Sequence, residues 1–461
     1  MRATTPNVRR AVCAAVPAVV LSACTGTPPR APLEPSVTLA EFNARHLDHL
    51  SPELPPSTAG WDRSQWLAAA LQLNPQLSER AAVNAVAAAE RTAAQRPNPT
   101  MQLFAEYLTS AAQSAAWLYG LSLDFLLRQP GERARAQQQA ALQTALAESE
   151  LTESIWQVRA ALRQALLDAV SAQDEAVLLQ SLVAERQALL ETDRKRLQLG
   201  DIARTQLLSN ELELSRAQQR EQQSRARSVD AMARLAAAVG VPVATLHAVP
   251  LRWPDWAQVD ALQIATPERW RSEALIARPQ IVHALREYDL AEVGLQSEVA
   301  RRWPQLHVTP AYAWGGGGIQ ENTLFGISSE GGVALSFELP LFNQHQGQIG
   351  EAVARRTAAG EHLKAVQAQI FAQIDRAELA WPAARQAWDE TRNAADIARR
   401  QYEGEQRASV LAAQIATTEA QLAVLEAAYK AEVVFGELED AYRRPLQGSE
   451  TQWPATTSPH S

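Results

Sequence analysis

Side chains able to do chemistry are few and scattered in this chain. His46 and His49 stand three apart, a spacing that brings two imidazoles to one side of a helical turn, but no third donor follows nearby, so the pair reads as structural or surface residues. His247, His283, His307, His345, His362 and His460 occur singly, as satisfied or solvated histidines do. Gly315 to Gly318 form a run of glycines without the lysine and following helix that a phosphate loop needs. No nucleophile stands with a base and an orienting acid, so the residues point to no enzyme, no cofactor and no metal. What remains is charge at two turns. Asp201 and Arg204 flank Ile202 after Gly200 in the first, and Glu403, Glu405 and Arg407 surround the second. In a narrowing passage such residues form ion pairs and cation-attracting rings that set an aperture; on an exposed turn they only solvate it. Both readings stand at the level of sequence.

The elements that hold those turns follow from composition and patterning. Glycine, methionine and phenylalanine are sparse while alanine, glutamine, leucine, arginine and glutamate dominate, the usage of long helices packed through small side chains. A length of 461 residues exceeds one compact core and predicts several units or an extended architecture. The net charge of -8, spread in both signs, excludes the basic footprint of a nucleic-acid binder. At the N-terminus, Arg2, Arg9 and Arg10 precede an apolar run from Ala11 to Ala23, a secretory signal too short to span a bilayer. The run ends in Leu21-Ser22-Ala23-Cys24, which resembles the lipobox of bacterial lipoproteins, with Cys24 lipidated. By the same resemblance, Thr25 in place of an aspartate favours sorting to the outer membrane. Cys13 lies in the removed segment 1–23, so no internal disulfide is expected. Thr25 to Pro35 read as a proline-rich tether within a segment 24–60.

The rest of the chain repeats itself. Asn74-Pro75-Gln76-Leu77 opens a helical stretch ending at Arg96-Pro97-Asn98-Pro99, and Arg278-Pro279-Gln280-Ile281 opens another ending at Arg302-Trp303-Pro304-Gln305. Two alternating segments follow each: about 100–108 and 117–126, then about 306–314 and 332–339. Leu103, Ala105 and Tyr107 share one face of the first. Trp117 to Phe125 in steps of two, Leu306, Val308, Tyr312 and Trp314, and Val333 to Leu339 in steps of two do so in the others. The opposite faces carry Gln102, Glu106, Ser122, Asp124, His307, Thr309, Ser336 and Glu338. Strands of this length cross a bilayer when tilted. Four of them cannot close a barrel, so a transmembrane reading requires several chains to share one; the other reading is a soluble two-hairpin sheet packed on helices.

Each repeat then continues into long helices. Ile155, Leu162, Ala169, Ala176, Val183, Leu190 and Leu197 recur every seventh residue, with Val158, Ala165, Ala172 and Leu179 three further on, which is a coiled-coil seam. The stretch from Glu132 to about Leu199 turns at Gly200 and returns over about 205–238. Ile349 to Arg400 rises similarly, with Pro382 expected to kink or curve it, turns near Gly404 and returns to about Tyr442.

Arg96-Pro97-Asn98-Pro99, Leu199-Gly200-Asp201-Ile202, and above all Pro340-Leu341-Phe342-Asn343 with Gly347-Gln348-Ile349 resemble the TolC-type outer-membrane efflux proteins, in particular their CzcC-like branch. The resemblance runs from about residue 61 to 443. It implies a mainly α fold with a small β part, built from a duplicated helix-strand-strand-helix-helix repeat. Three chains would form a barrel of twelve strands continuous with a tunnel of twelve helices. It further implies a passive exit duct for metal ions or small toxic solutes, lipid-anchored in the outer membrane of a Gram-negative bacterium. The duct would dock on a periplasmic adaptor and an inner-membrane resistance-nodulation-division pump; Gly200, Asp201, Ile202 and Ala203 offer a compact surface to the adaptor, and Asp201, Arg204, Glu403, Glu405 and Arg407 are the aperture candidates. The divisions are then 61–246 and 273–443 for the repeats, 247–272 for an equatorial connector and 444–461 for a tail. The alternative is a periplasmic adaptor or scaffold lipoprotein, which would carry one coiled-coil hairpin rather than two.

Overall fold

The computed structural model describes residues 34–47, 60–78, 90, 92–93, 95–108, 116–247, 249–253, 267–315, 329–403 and 410–446. The chain divides into two units, Met1–His46 and Leu47–Ser461. In the first, helix α1 spans Pro35–Asn43. It falls within 24–60, where only a tether is expected; Pro35 supplies the fixed φ of a first helical turn.

The second unit opens with α2 (Arg63–Leu73), started by a capping box: Gln65 N–H donates to Asp62 Oδ1 at 2.9 Å, and Asp62 N–H donates to Gln65 Oε1 at 2.8 Å. The short helix α3 (Pro75–Ser78) follows. The remainder of the expected first helical stretch is largely outside the described residues. Strands β1 (Thr100–Leu108) and β2 (Ala116–Leu127) lead into α4 (Glu132–Leu199), α5 (Arg204–Val239) and α6 (Val243–Leu246). The second repeat has α7 (Pro267–Ala277), α8 (Pro279–Ala300), β3 (Leu306–Gly315), β4 (Ser329–Phe337), α9 (Gln346–Glu403) and α10 (Val410–Tyr442). With 68 residues free of glycine and proline, α4 extends for roughly 100 Å. Helix α9 runs unbroken through Pro382. Among the described residues no helix is long and apolar enough to cross a membrane.

The four strands form one antiparallel sheet in chain order. Tyr107 faces Trp117, Tyr119 faces Trp314, and Val308 faces Leu335, so the apolar sets of all four strands fall on one side. Both ends of β4 differ from expectation: it begins at Ser329 rather than near 332, and ends at Phe337, short of Leu339. In the observed register Leu339 would meet Pro304, which has no N–H to donate, and pairing stops there. The β2–β3 ladder likewise skips Leu123 and Asp124, opposite Pro310 and Thr309, where Pro310 lacks a donor.

The seam of α4 is buried at Val158, Leu162, Ala165, Ala169, Ala172, Leu179, Val183 and Leu190, while Ile155, Ala176 and Leu197 are half-buried. Among the described residues three apolar clusters are buried, of which the first and third include seam residues of α4. Trp61, Trp66, Leu166, Leu167 and Leu235 centre the first, Ile374, Trp381, Phe435 and Leu438 the second, and Leu179, Leu182, Ile415 and Leu422 the third, nearer the turns.

Candidate functional site

The sheet separates two surfaces. On the apolar side Leu103, Tyr107, Trp117, Tyr119, Phe125, Tyr312, Trp314, Val333, Leu335 and Phe337 are all exposed. At the loop end, rings follow one another across three strands: Tyr107 to Trp117 at 5.0 Å, Trp117 to Tyr119 at 6.2 Å, Tyr119 to Trp314 at 6.4 Å and Trp314 to Tyr312 at 6.0 Å. The other side carries the polar residues together with Phe104, whose ring lies over Gly120. There His307 Nδ1 lies 2.9 Å from Asp124 Oδ2, and Thr309 Oγ1 donates to Asp124 Oδ1 at 2.9 Å. These side chains bridge β2 and β3 at the position where the backbone ladder is interrupted by Pro310. Beside them is a cavity of about 460 Å³ whose walls include Gln102, Ser336 and Glu338.

Both strand-to-helix junctions need a left-handed residue immediately before the helix: Gly131, with φ of 81°, precedes α4, and His345, with φ of 58°, precedes α9. His345 N–H donates to Asn343 Oδ1 at 3.0 Å, a local bond that helps an L-residue hold that conformation. The two repeats thus share a junction geometry that their sequences only partly share.

At the first hairpin turn Gly200 has φ of 80° and ends α4 in a Schellman arrangement: its N–H donates to Leu197 O at 3.1 Å, and Asp201 N–H donates to Arg196 O at 2.8 Å. Ile202 and Ala203 complete the turn, and Arg204 begins α5. Neither Asp201 nor Arg204 forms an ion pair among the described residues. The charged contacts lie one step further up, where Arg194 reaches Glu211 at 3.5 Å and Arg196 reaches the buried Asp193 at 3.6 Å. Glu403 is the last residue of α9; Glu405, Arg407 and Cys24 lie outside the described residues, as does His49. His46 is exposed, and among the described residues no three His, Cys, Asp or Glu side chains form a metal group.

Sequence reasoning missed a buried charged cluster between α4 and α10. Arg159 Nη2 donates to Glu439 Oε2 at 2.9 Å. Arg163 Nη2 donates to Glu432 Oε2 at 3.0 Å and to Glu432 O at 2.8 Å, with its Nε 3.4 Å from Glu439 Oε2. The Arg163 guanidinium sits between the rings of Trp253, 5.5 Å away, and Phe435, 5.8 Å away. Gly436 makes this approach possible, since a Cβ there would lie 1.8 Å from Arg163 Nη1. Arg443 joins the rim through Glu153 at 2.6 Å, and Arg278 donates to Ala441 O at 3.1 Å. Burial raises the Glu439 pKa, but Arg159, Arg163 and Arg63 outweigh it and hold the carboxyl below its ordinary range. Burial pushes Glu432 up, and pushes Asp440 up to about 6. The signal was present in the sequence as Arg159 and Arg163 at i,i+4 beside seam positions, and Glu432 and Glu439 seven apart in α10. The two ends of the Trp-rich connector also meet this region: Trp253 covers Arg163, and Trp270 packs edge-on against Tyr442 at 6.0 Å.

No protein-family model and no curated protein matches the sequence. Solved structures do match the fold. The outer membrane protein VceC of Vibrio cholerae aligns with a TM-score of 0.63 and 16% identity, covering 84% of this chain and 97% of that one. The CmeC outer membrane channel of Campylobacter jejuni aligns at 0.64 and 14%, covering 86% and 90%. The open state of the MtrE outer membrane channel of Neisseria gonorrhoeae aligns at 0.63 and 17%, covering 82% and 88%. At these identities the likeness shows the fold: a mainly helical chain with a small sheet, folded as outer-membrane channels are. The matched proteins are channels, a class that is not enzymatic.

Proposed function

We propose that this chain is the exit duct of a tripartite efflux system in the outer membrane of a Gram-negative bacterium, belonging to the TolC-type proteins and their CzcC-like branch. Three copies close one barrel of twelve strands, four from each, and continue it as a tunnel of twelve helices through the periplasm. The observation that carries this reading is the sheet. Among the described residues both its edges, β1 and β4, are unpaired, and one face presents exposed aromatic and aliphatic side chains. Such a face suits lipid, and such edges suit a neighbouring copy. Leu339 and Glu338 lie just past β4, at the strand-to-helix junction.

In this reading segment 1–23 is a signal peptide, Cys24 carries the lipid, and 24–60 tethers the chain. Segments 61–246 and 273–443 are the two repeats, joined by the connector 247–272, with 444–461 as a tail. A periplasmic adaptor and a resistance-nodulation-division pump are the partners, and metal ions or small toxic solutes pass without chemistry. Gly200, Asp201, Ile202 and Arg204, with Glu403, Glu405 and Arg407, face the aperture or the adaptor. Opening is driven by differential contact with that partner, since the duct has no energy source of its own. Two long hairpins, α4–α5 and α9–α10, support the duct over the adaptor alternative, which needs one.

The test is particle mass in detergent together with conductance in a planar bilayer. Three chains per particle and stepwise conductance are expected, for wild type and for Cys24→Ser alike. A Cys24→Ser protein that is monomeric and soluble without detergent overturns the duct.

A further inference from the structure

The polar face of the sheet carries an arrangement that the duct reading leaves unused. Asp124 on β2 commits both its oxygens to β3: Oδ2 lies 2.9 Å from His307 Nδ1, and Oδ1 accepts from Thr309 Oγ1 at 2.9 Å. An ionised carboxylate can only accept, so the proton between Asp124 and His307 sits on Nδ1. The Nε2 of the neutral ring then keeps its lone pair. A histidine that donates one ring N–H to a carboxylate, leaving the other nitrogen as a fixed base, has the arrangement that orients an imidazole as a metal ligand.

A second donor stands beside it. Ser336 is the β4 partner of His307 in the ladder, and the exposed Glu338 follows two residues further along the same side. Glu338 lies just past the end of β4, where the ladder no longer fixes the backbone. His307 and Glu338 line one cavity of about 460 Å³ together with Asp124, Thr309 and Gln102. Among the described residues its walls hold two carboxylates and no lysine or arginine, so the cavity favours a cation.

We infer that His307 Nε2 and the Glu338 carboxylate bind a divalent transition-metal ion passing along this face, with water completing its shell and with Asp124 and Thr309 as positioning residues. The inference names a cargo class for the proposed duct and rests on that reading, in which the polar face lines the lumen. The ion is of the zinc, copper or nickel kind, because an imidazole nitrogen suits these, whereas magnesium and calcium take oxygen ligands. One nitrogen and one carboxylate from each chain make an open site, not a closed centre of three or four protein ligands. An open site suits a stepping point, since conduction needs binding strong enough to admit the ion and weak enough to release it.

The full-length protein in detergent is titrated with zinc by calorimetry, its copper(II) complex is read by electron paramagnetic resonance, and potassium current is recorded in a planar bilayer with and without zinc. Wild type binds zinc in the presence of excess magnesium, and zinc reduces its current. His307→Ala and Glu338→Gln each weaken zinc binding by about tenfold or more and relieve the block, in particles of wild-type mass. The second variant, at an exposed position past β4, leaves the β2–β3 bridge intact. Nitrogen splitting in the copper spectrum falls in His307→Ala. Asp124→Asn weakens zinc by about tenfold but retains that splitting, as a positioning residue should. Zinc affinity unchanged in either His307→Ala or Glu338→Gln, or displacement of zinc by equimolar magnesium, overturns the site. A wild-type current that zinc leaves unchanged overturns its place on the conduction path. The duct reading fails separately, by absence of conductance in the wild-type protein without zinc.

Discussion

The sheet and the charged cluster between α4 and α10 depart from the pattern of a water-soluble protein in opposite directions. In the sheet Leu335, Phe337 and a chain of stacked aromatic rings face outward. In the cluster Arg163 and Glu439 are buried beneath tryptophan and phenylalanine. Each arrangement is consistent only with its own surroundings. The apolar face is favourable against hydrocarbon, whereas the charges are tolerable because each is paired and hydrogen-bonded at short range. If the sheet faces lipid as proposed, one chain follows two solvent rules, and each can be tested by moving the wrong kind of group into each place.

The largest effect is expected in the cluster. Glu439→Gln leaves Arg159 and Arg163 short of a buried counter-charge and should cost about 3 to 5 kcal/mol, read as a shift in the denaturation midpoint of the detergent-solubilised protein. A loss below about 1 kcal/mol would mean that water reaches the site and that the contrast with the sheet is overstated. Next comes the sheet: Leu335→Arg on the exposed apolar face should cost about 2 to 4 kcal/mol in lipid, whereas Ser336→Arg on the opposite face should be nearly neutral. Equal effects of the two substitutions would remove the distinction between the faces.

A smaller effect concerns pH. Asp440 has its pKa raised from 3.8 to about 6 by burial, so the folded state binds its proton more tightly than the unfolded chain does. The penalty of ionising it is complete above about pH 6 and disappears as pH falls towards 4. Wild type should therefore gain stability over that window relative to Asp440→Asn. About a third of the side chain is exposed, so solvent screening holds the gain to on the order of 1 kcal/mol. Melting curves at pH 7.5 and 5.0 give the comparison, and parallel shifts of the two proteins would refute it. The smallest effect belongs to a fully solvated pair: Lys430→Ala, which removes the 2.7 Å contact with Glu426, should change stability by less than about 0.5 kcal/mol in the same melts.

The helices and strands were legible in the sequence because period seven and period two persist over many residues. Glu132 to Leu199 and Thr100 to Leu108 have the expected bounds. The end of β4 was not legible, because it depends on Pro304, a residue of another strand's approach, through a register that only pairing defines. Nor was the helix α1, whose nine residues carry no periodic apolar stripe. The turn residues Gly200 to Arg204 lie together as their adjacency requires, but their role depends on partners that no single chain contains. The charged cluster escaped notice because arginine and glutamate on long helices usually mark the solvated face. Only the approach of α10 to α4 turns Arg159 and Glu439 inward, and that approach is set by packing across 280 residues of sequence.

That separation has a consequence for biogenesis. In a chain delivered N-terminus first, Arg159 and Arg163 emerge long before Glu432 and Glu439, and until then they have no acids to meet. The charged interior beside Trp253 is completed only by the final helix, which supplies both acids. A chain truncated before Glu432 would leave Arg159 and Arg163 without the carboxylates they meet in the folded protein.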